Sequence, residues 1–215
     1  MSQNDERFAD LEGVIESEAD LAELVAAPMP EAIAKVVDHI DDVCRAFIAK
    51  SPFCLIASAN PDGHIDVSPK GDPPGFVRVL DDRRLAIPDR PGNRRVDTFH
   101  NLLRDPRLGM IFLIPGKTET LRVSGEARIV RDETLRRSLA YKGHEPHLAV
   151  VVYVERAFVH CPKCMIRGSI WKPEAWPASD DVPDLRRAMI RQAKLDTTPA
   201  ALEAKAERAG VTKLY

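Results

Sequence analysis

A barrel or curled sheet of short antiparallel strands with a few flanking helices is the architecture this chain of 215 residues predicts. Two observations carry it. From Pro52 onward the apolar pattern breaks into short β-type runs separated by turn-forming tetrapeptides. The longest β-rich run, "HLAVVVYVERAFVH" at His147 to His160, comes late and reads as a central strand. A content of 44% apolar residues is enough for one sizeable core. No internal repeat or low-complexity tract interrupts it.

The opening forty-odd residues read as helical, because Phe8, Leu11, Ile15, Leu21, Leu24 and Val25 recur at spacings near 3 and 4, with Pro28 and Pro30 as punctuation. A second helix starts at Pro30, which suits a first turn, and Ile33, Val36, Val37, Ile40, Val43, Cys44, Phe47 and Ile48 form one face of it. The strands follow: "FCLIAS", "HIDVSP" after the turn "NPDG", "GFVRVL", and "LAIP" after "DDRR". The segment "NRRVDTFHNLLRDP" then returns to helical spacing, with Val96, Phe99, Leu102 and Leu103 on one face and Pro106 past its end. "RLGMIFLI" turns at "PGKT" into "ETLRVSGEARIV", a short helix falls near Asp132 to Tyr141, and the long central strand ends the β region. The tail from Pro183 is helical, with Thr198 as N-cap and Pro199 in the first turn of the last helix.

Composition excludes several function classes. A formal charge of −2 argues against a general phosphate-neutralising surface, so nucleic acid is not an expected partner. No apolar run approaches the roughly 18 residues of a membrane span, and "MSQNDERFADLEG" lacks the basic-then-apolar pattern of a signal peptide. No membrane association and a cytoplasmic location are expected. Four cysteines, only two of them close together, make no disulfide framework. Charge is nonetheless uneven: residues 1–42 hold twelve acids against Arg7 and Lys35, and residues 83–107 hold seven arginines against three aspartates. The two could face one another, in one chain or across a dimer, or the acidic helices could simply be solvated.

The first candidate constellation is "DVSPKGDPPGF" followed by "IPDRPGNRRV". It presents Ser68 and Lys70 beside Gly71, then Arg90, Arg94 and Arg95 around Gly92. Forked guanidinium groups, an ammonium and a hydroxyl match a phosphate monoester dianion, and glycine lets the backbone approach it. Asn93 could cap the following helix and aim its free N–H groups at the same anion.

"KGDPPGF", the helix "NRRVDTFHNLLRDPRLGMIFL" and the strand "TLRVSGEARI" are similar, in sequence and order, to the flavin-binding split-barrel proteins of the pyridoxamine 5'-phosphate oxidase group. The resemblance covers about Pro52 to His160 and is closest to an uncharacterised bacterial branch carrying "SPKGDPPGF" and "IPDRPGNRR". It implies a six-stranded antiparallel split β-barrel that forms a homodimer and binds FMN in grooves between the subunits. Val67, Ser68, Pro69 and Lys70 would then line the flavin from one strand, and Ile87 and Pro88 from the next. Arg94 and Arg95 would hold the phosphate, and Thr120 would stand where the family often has a glutamine beside the ring. The arginine-x-histidine motif with which the vitamin-forming oxidases grip their substrate has no counterpart in the tail, so the resemblance does not extend to pyridoxamine phosphate oxidation. The implied organisation is an N-terminal helical extension at 1–50, the flavin-binding barrel at 51–160, and a helical tail at 161–215 packing on the barrel or on the dimer partner.

"HCPKC" offers a second constellation. His160, Cys161 and Cys164 supply three plausible ligands where a closed zinc site takes four, so no metal is expected. A dithiol at the start of a helix fits the placement, but no βαβ unit surrounds it. Lys163 and Arg167, four apart, share a side of that helix. By the resemblance these two and Trp171 would close over the partner's flavin. No acid, base or nucleophile stands out, which suits a cofactor that carries the redox chemistry itself. The expected function is therefore an FMN-dependent oxidoreductase acting on a small organic molecule whose identity the sequence leaves open. The alternatives are a non-catalytic flavin or haem binder, and a thiol-redox regulator working through Cys161 and Cys164.

Overall fold

The structure is a computed structural model and describes residues 6–215. It divides into two compact units, the first ending at Lys35 and the second spanning Val36–Tyr215.

Among its described residues the first unit contains a 3-10 turn at Glu6–Phe8 and two short helices, α1 (Glu18–Leu24) and α2 (Pro30–Ala34). Ser17 caps α1, its hydroxyl accepting from Asp20 N–H at 3.1 Å. Phe8, Leu11, Ile15, Leu21, Leu24, Val25 and Ile33, whose spacing predicts a buried helical face, are all exposed.

The second unit holds seven strands in one antiparallel sheet of order β2-β1-β5-β6-β7-β4-β3: β1 (Phe53–Ala59), β2 (Ile65–Gly71), β3 (Arg78–Val79), β4 (Arg84–Pro88), β5 (Arg107–Leu113), β6 (Thr120–Val130) and β7 (Ala149–His160). It is the expected mainly β split barrel with flanking helices. The six strands implied by the resemblance become seven because "GFVRVL" contributes a two-residue edge strand, Arg78 and Val79 pairing with Ala86 and Leu85. The long strand β7 is central, between β6 and β4. Its pairing with β6 slips at Ser124/Gly125, where a Cβ on Gly125 would lie 1.9 Å from the Tyr153 carbonyl oxygen. Only glycine permits that approach, which bends the sheet toward closure.

The helix expected from Pro30 to Ile48 is broken. Val37 exchanges two backbone hydrogen bonds with Ala157, at 3.0 and 2.8 Å, so the chain there is extended. Asp41 then starts a new helix, α3 (Asp42–Lys50), its carboxylate accepting from Cys44 N–H at 2.8 Å. From Ile40 onward the periodic residues point inward except Val43, which is exposed: Ile40, Cys44, Phe47 and Ile48 pack in a core with Cys54, Ile56, Phe112, Leu121, Val123, Val152 and Val154. Burial pushes the thiols of Cys44 and Cys54 up to about 12, so both stay protonated and inert.

The helix between β4 and β5 shrinks to α4 (Asp97–Leu102). Leu102 and Phe99 pack on the core, but Leu103 is 74% exposed and Val96 sits outside the helix. Asn101, buried on α4, donates to Ser58 Oγ at 3.0 Å and to Asp66 at 2.7 Å, pinning the helix across β1 and β2. After β6 comes α5 (Glu133–Ser138), capped by Asp132. Beyond β7 follow α6 (Lys163–Arg167), α7 (Leu185–Gln192) and α8 (Pro199–Arg208). Thr198 caps α8 as expected, its hydroxyl accepting from Ala201 N–H at 3.2 Å. Among the described residues no helix is long and apolar enough to cross a membrane.

Candidate functional site

The site grows from strand β2. Its side chains alternate, and the register with β1 places Asp66, Ser68 and Lys70 opposite the buried Ser58, Ile56 and Cys54. Those three polar side chains therefore share the inward side of the sheet, while Ile65, Val67 and Pro69 face outward. β2 also ends the sheet, so among the described residues one backbone edge has no neighbouring strand, and Pro69 is tolerated there for the same reason.

Around that edge lies a cavity of about 930 Å³, within the range of small-molecule sites. Its first wall is Asp66 to Lys70, its second the loop Asp89 to Asp97, and its third Gly143 to His147 together with Gly210 and Tyr215. Of the residues anticipated from sequence, Val67, Ser68, Pro69, Lys70, Asn93, Arg94 and Arg95 are gathered here. Ile87 and Pro88 are buried in β4 immediately before the second wall, Ile87 inside the core. Thr120 is buried at the start of β6, paired with His160, and does not reach the cavity. Lys163 and Arg167 are exposed on α6, and Trp171 donates from its indole to the Lys117 carbonyl at 2.7 Å; none of the three lines the cavity.

The cationic groups differ in their commitments. Lys70 Nζ donates to Ser68 Oγ at 2.6 Å, and burial lowers its pKa, partly offset by the nearby Asp89 carboxylate. Arg90 is committed within the fold: Nε donates to Asp72 at 2.6 Å and Nη2 to the Leu139 carbonyl at 3.0 Å. Arg95 is exposed and paired with Asp97 at 2.7 Å, a contact that a stronger anion can replace. Arg94 donates to the Ala209 carbonyl at 3.0 Å.

The loop itself is strained. Arg94 and Val96 adopt left-handed backbone, with φ of 61° and 51°, and a β-branched residue rarely does so. This overturns the expected role of Asn93 as a helix cap. α4 begins at Asp97 with Val96 as an N-cap that has no side-chain bond, and the Asn93 side-chain Oδ1 instead accepts from Arg95 N–H at 3.0 Å. The asparagine closes a local turn that holds the two arginines at the rim.

Sequence reasoning missed four groups here. Asp89 lines the cavity half-buried; burial raises its pKa, against the pull of Lys70, His147 and Arg90. Asp72, with a side chain only 1% exposed, anchors Arg90. His144 and Tyr215 complete the third wall. The polar alternation Asp66, Ser68, Lys70 in a strand whose other face is apolar was a readable signal for an inward binding surface. The contacts of Asp72 and Tyr215, 143 positions apart, left no local trace.

At "HCPKC", Cys161 and Cys164 are exposed, free thiols flanking the start of α6. Among the described residues no three His, Cys, Asp or Glu side chains gather as a metal site.

Residues 40–161 match the family model described as pyridoxamine 5'-phosphate oxidase. Among solved structures, the chain is similar to HupZ from Group A Streptococcus, at 18% identity over 56% of this chain and 93% of that one, with a TM-score of 0.47. It is similar to General Stress Protein 26 from Bacillus anthracis, at 12% identity over 54% of this chain and 88% of that one, with a TM-score of 0.41. It is also similar to the conserved hypothetical protein Rv2991 from Mycobacterium tuberculosis, at 16% identity over 80% of this chain and 95% of that one, with a TM-score of 0.41. No curated protein matches the sequence.

Proposed function

Because the chain belongs to the pyridoxamine 5'-phosphate oxidase family, we propose that it binds FMN in the cavity beside β2 and acts as an oxidoreductase on a small organic molecule. The observation that carries the reading is the donor set. One cavity joins an unpaired strand edge, a half-buried ammonium and two rim guanidinium groups, which suits a planar polar ring at one end and a phosphate dianion at the other. In this reading Arg94 and Arg95 grip the phosphate, Asn93 shapes their loop, and the backbone of Val67 to Lys70 hydrogen-bonds the ring edge. Lys70 lies beside that edge, and Ile87 and Pro88 hold the second wall in place. Bound flavin would supply hydride or electron transfer; the chain's task is to bind, orient and desolvate it.

A homodimer accompanies the reading. The outward residues of β1, β2 and β5 form a nearly all-apolar face: Phe53, Leu55, Ile65, Val67, Pro69 and Ile111. Phe53, Ile65, Val67 and Ile111 are at least 36% exposed in the single chain. Apolar surface of this extent next to a ligand cavity suits a second subunit. We assign Lys163, Arg167 and Trp171, which lie off the cavity of their own chain, to the partner's site, and Thr120 to the support of β6.

Purified protein is expected to be yellow or to quench added FMN fluorescence, and to release or bind one FMN per chain. The double variant Arg94→Ala, Arg95→Ala should weaken FMN binding by about 100-fold, the loss of two hydrogen bonds to a charged group. Unchanged affinity would remove the phosphate assignment. A colourless protein that takes up no FMN, or one that shows a Soret band with haem instead, would remove the flavin reading itself.

A further inference from the structure

The segment after α8 is turned back onto the cavity by its sequence. Gly210, with φ of 68°, follows the helix, Gly210 N–H donates to the Glu207 carbonyl and Val211 N–H to the Ala206 carbonyl, at 2.9 and 3.2 Å. This is a glycine-terminated helix end that reverses the chain. Residues 211–215 then run to the third wall, where two tethers hold Tyr215 and a third holds the helix end just before Gly210. The Tyr215 hydroxyl donates to Asp72 Oδ1 at 2.6 Å, the same carboxylate whose Oδ2 takes Arg90 Nε. The Tyr215 ring packs on Tyr141 and His144, centroids 5.2 and 6.5 Å away, with Lys142 Nζ 5.4 Å above it. Arg94 ties the Ala209 carbonyl.

Two of the anchors line the cavity, Arg94 in the rim loop and His144 in the third wall, and the third, Asp72, directly follows β2. With the segment docked, about 930 Å³ remains, at the upper end of what a small-molecule site holds. The segment therefore lines the space and does not fill it. It also lies outside residues 40–161, the part shared with the family.

We propose that Gly210–Tyr215 is a built-in wall of the ligand site, with Tyr215 the residue that clamps it to Asp72, so that a ligand leaves only as fast as this clamp releases. The proposal rests on the cavity being the ligand site. The phenol's hydrogen bond to a carboxylate also raises the Tyr215 pKa, which keeps it a donor across the neutral range.

The test pairs hydrogen exchange of residues 210–215 with stopped-flow dissociation of FMN, using the full chain. FMN, and separately inorganic phosphate at millimolar level, should slow exchange in this segment of the unaltered protein. Tyr215→Phe, which keeps the ring and drops the donor, should speed FMN release about tenfold, and Tyr215→Ala further, with the melting temperature little changed. If release is unchanged in both variants, or if neither probe slows exchange in the segment, the wall assignment is wrong. If phosphate slows exchange and FMN does not bind, the flavin reading alone fails and the wall stands.

Discussion

Arg90 and Arg94 lie four positions apart in one loop, line one cavity and do opposite work. Arg90 is 16% exposed in its side chain and spends its donors on a buried carboxylate and a backbone carbonyl. Arg94 is exposed, holds a single backbone carbonyl and sits on strained left-handed backbone. The first is structural: it ties β2's exit to the loop before the α4 helix. The second, with Arg95, is exposed at the rim, and in the proposed function it is the one that meets the phosphate. Burial separates them, because a desolvated guanidinium must keep its partners whereas a solvated one can exchange them.

The largest effect should come from breaking the inner pair. Arg90→Met leaves the Asp72 carboxylate buried with only the Tyr215 hydroxyl as side-chain partner, and stability measured by urea unfolding should fall by about 3–5 kcal/mol. Arg94→Met should stay within about 0.5 kcal/mol of the parent in the same assay, as exposed substitutions do. Equal losses in the two variants would erase the distinction.

Asp89, next to Arg90 in the same loop, sharpens the comparison through pH. Its folded pKa is raised by burial, so between the ordinary carboxylate range and that raised value the folded state binds the proton more readily than the unfolded chain does. Stability contributed by this group therefore falls as pH rises through that window. Asp89→Asn should stabilise the protein above the window, by less than about 1 kcal/mol. The gain should vanish as pH falls back to the ordinary carboxylate range. Thermal melts of parent and variant across pH 3–8 give the curve, and a gain that grows toward acid pH would contradict the burial argument.

The sequence made the strand segments, the Thr198 cap and the basic loop legible because each is local: alternation, a hydroxyl before a proline, arginines around a glycine. It left three things hidden. The break at Val37 depends on a strand partner 120 positions away, at Ala157, so helical periodicity ran straight through it. The division of labour among the arginines depends on Asp72, which in sequence is one aspartate in a proline-rich turn. Its importance comes from 1% exposure and from two partners that only the folded chain brings together. Likewise Leu103 shares the α4 face by spacing, yet the helix ends at Leu102 and turns it outward.

The smallest effect concerns the strain at the rim. Val96 holds φ of 51° with its side chain 43% exposed, so little packing compensates its left-handed backbone. Asparagine tolerates that conformation far better than a β-branched residue, without the unfolded-state entropy that glycine adds. Val96→Asn should therefore stabilise the fold by about 0.5–1 kcal/mol in urea unfolding. If the strained rim is what keeps Arg94 and Arg95 aimed at a phosphate, the same variant should hold FMN no more tightly than the parent despite its greater stability. A tighter complex in Val96→Asn would mean that the strain opposes binding, and that the rim is set for release and not for capture.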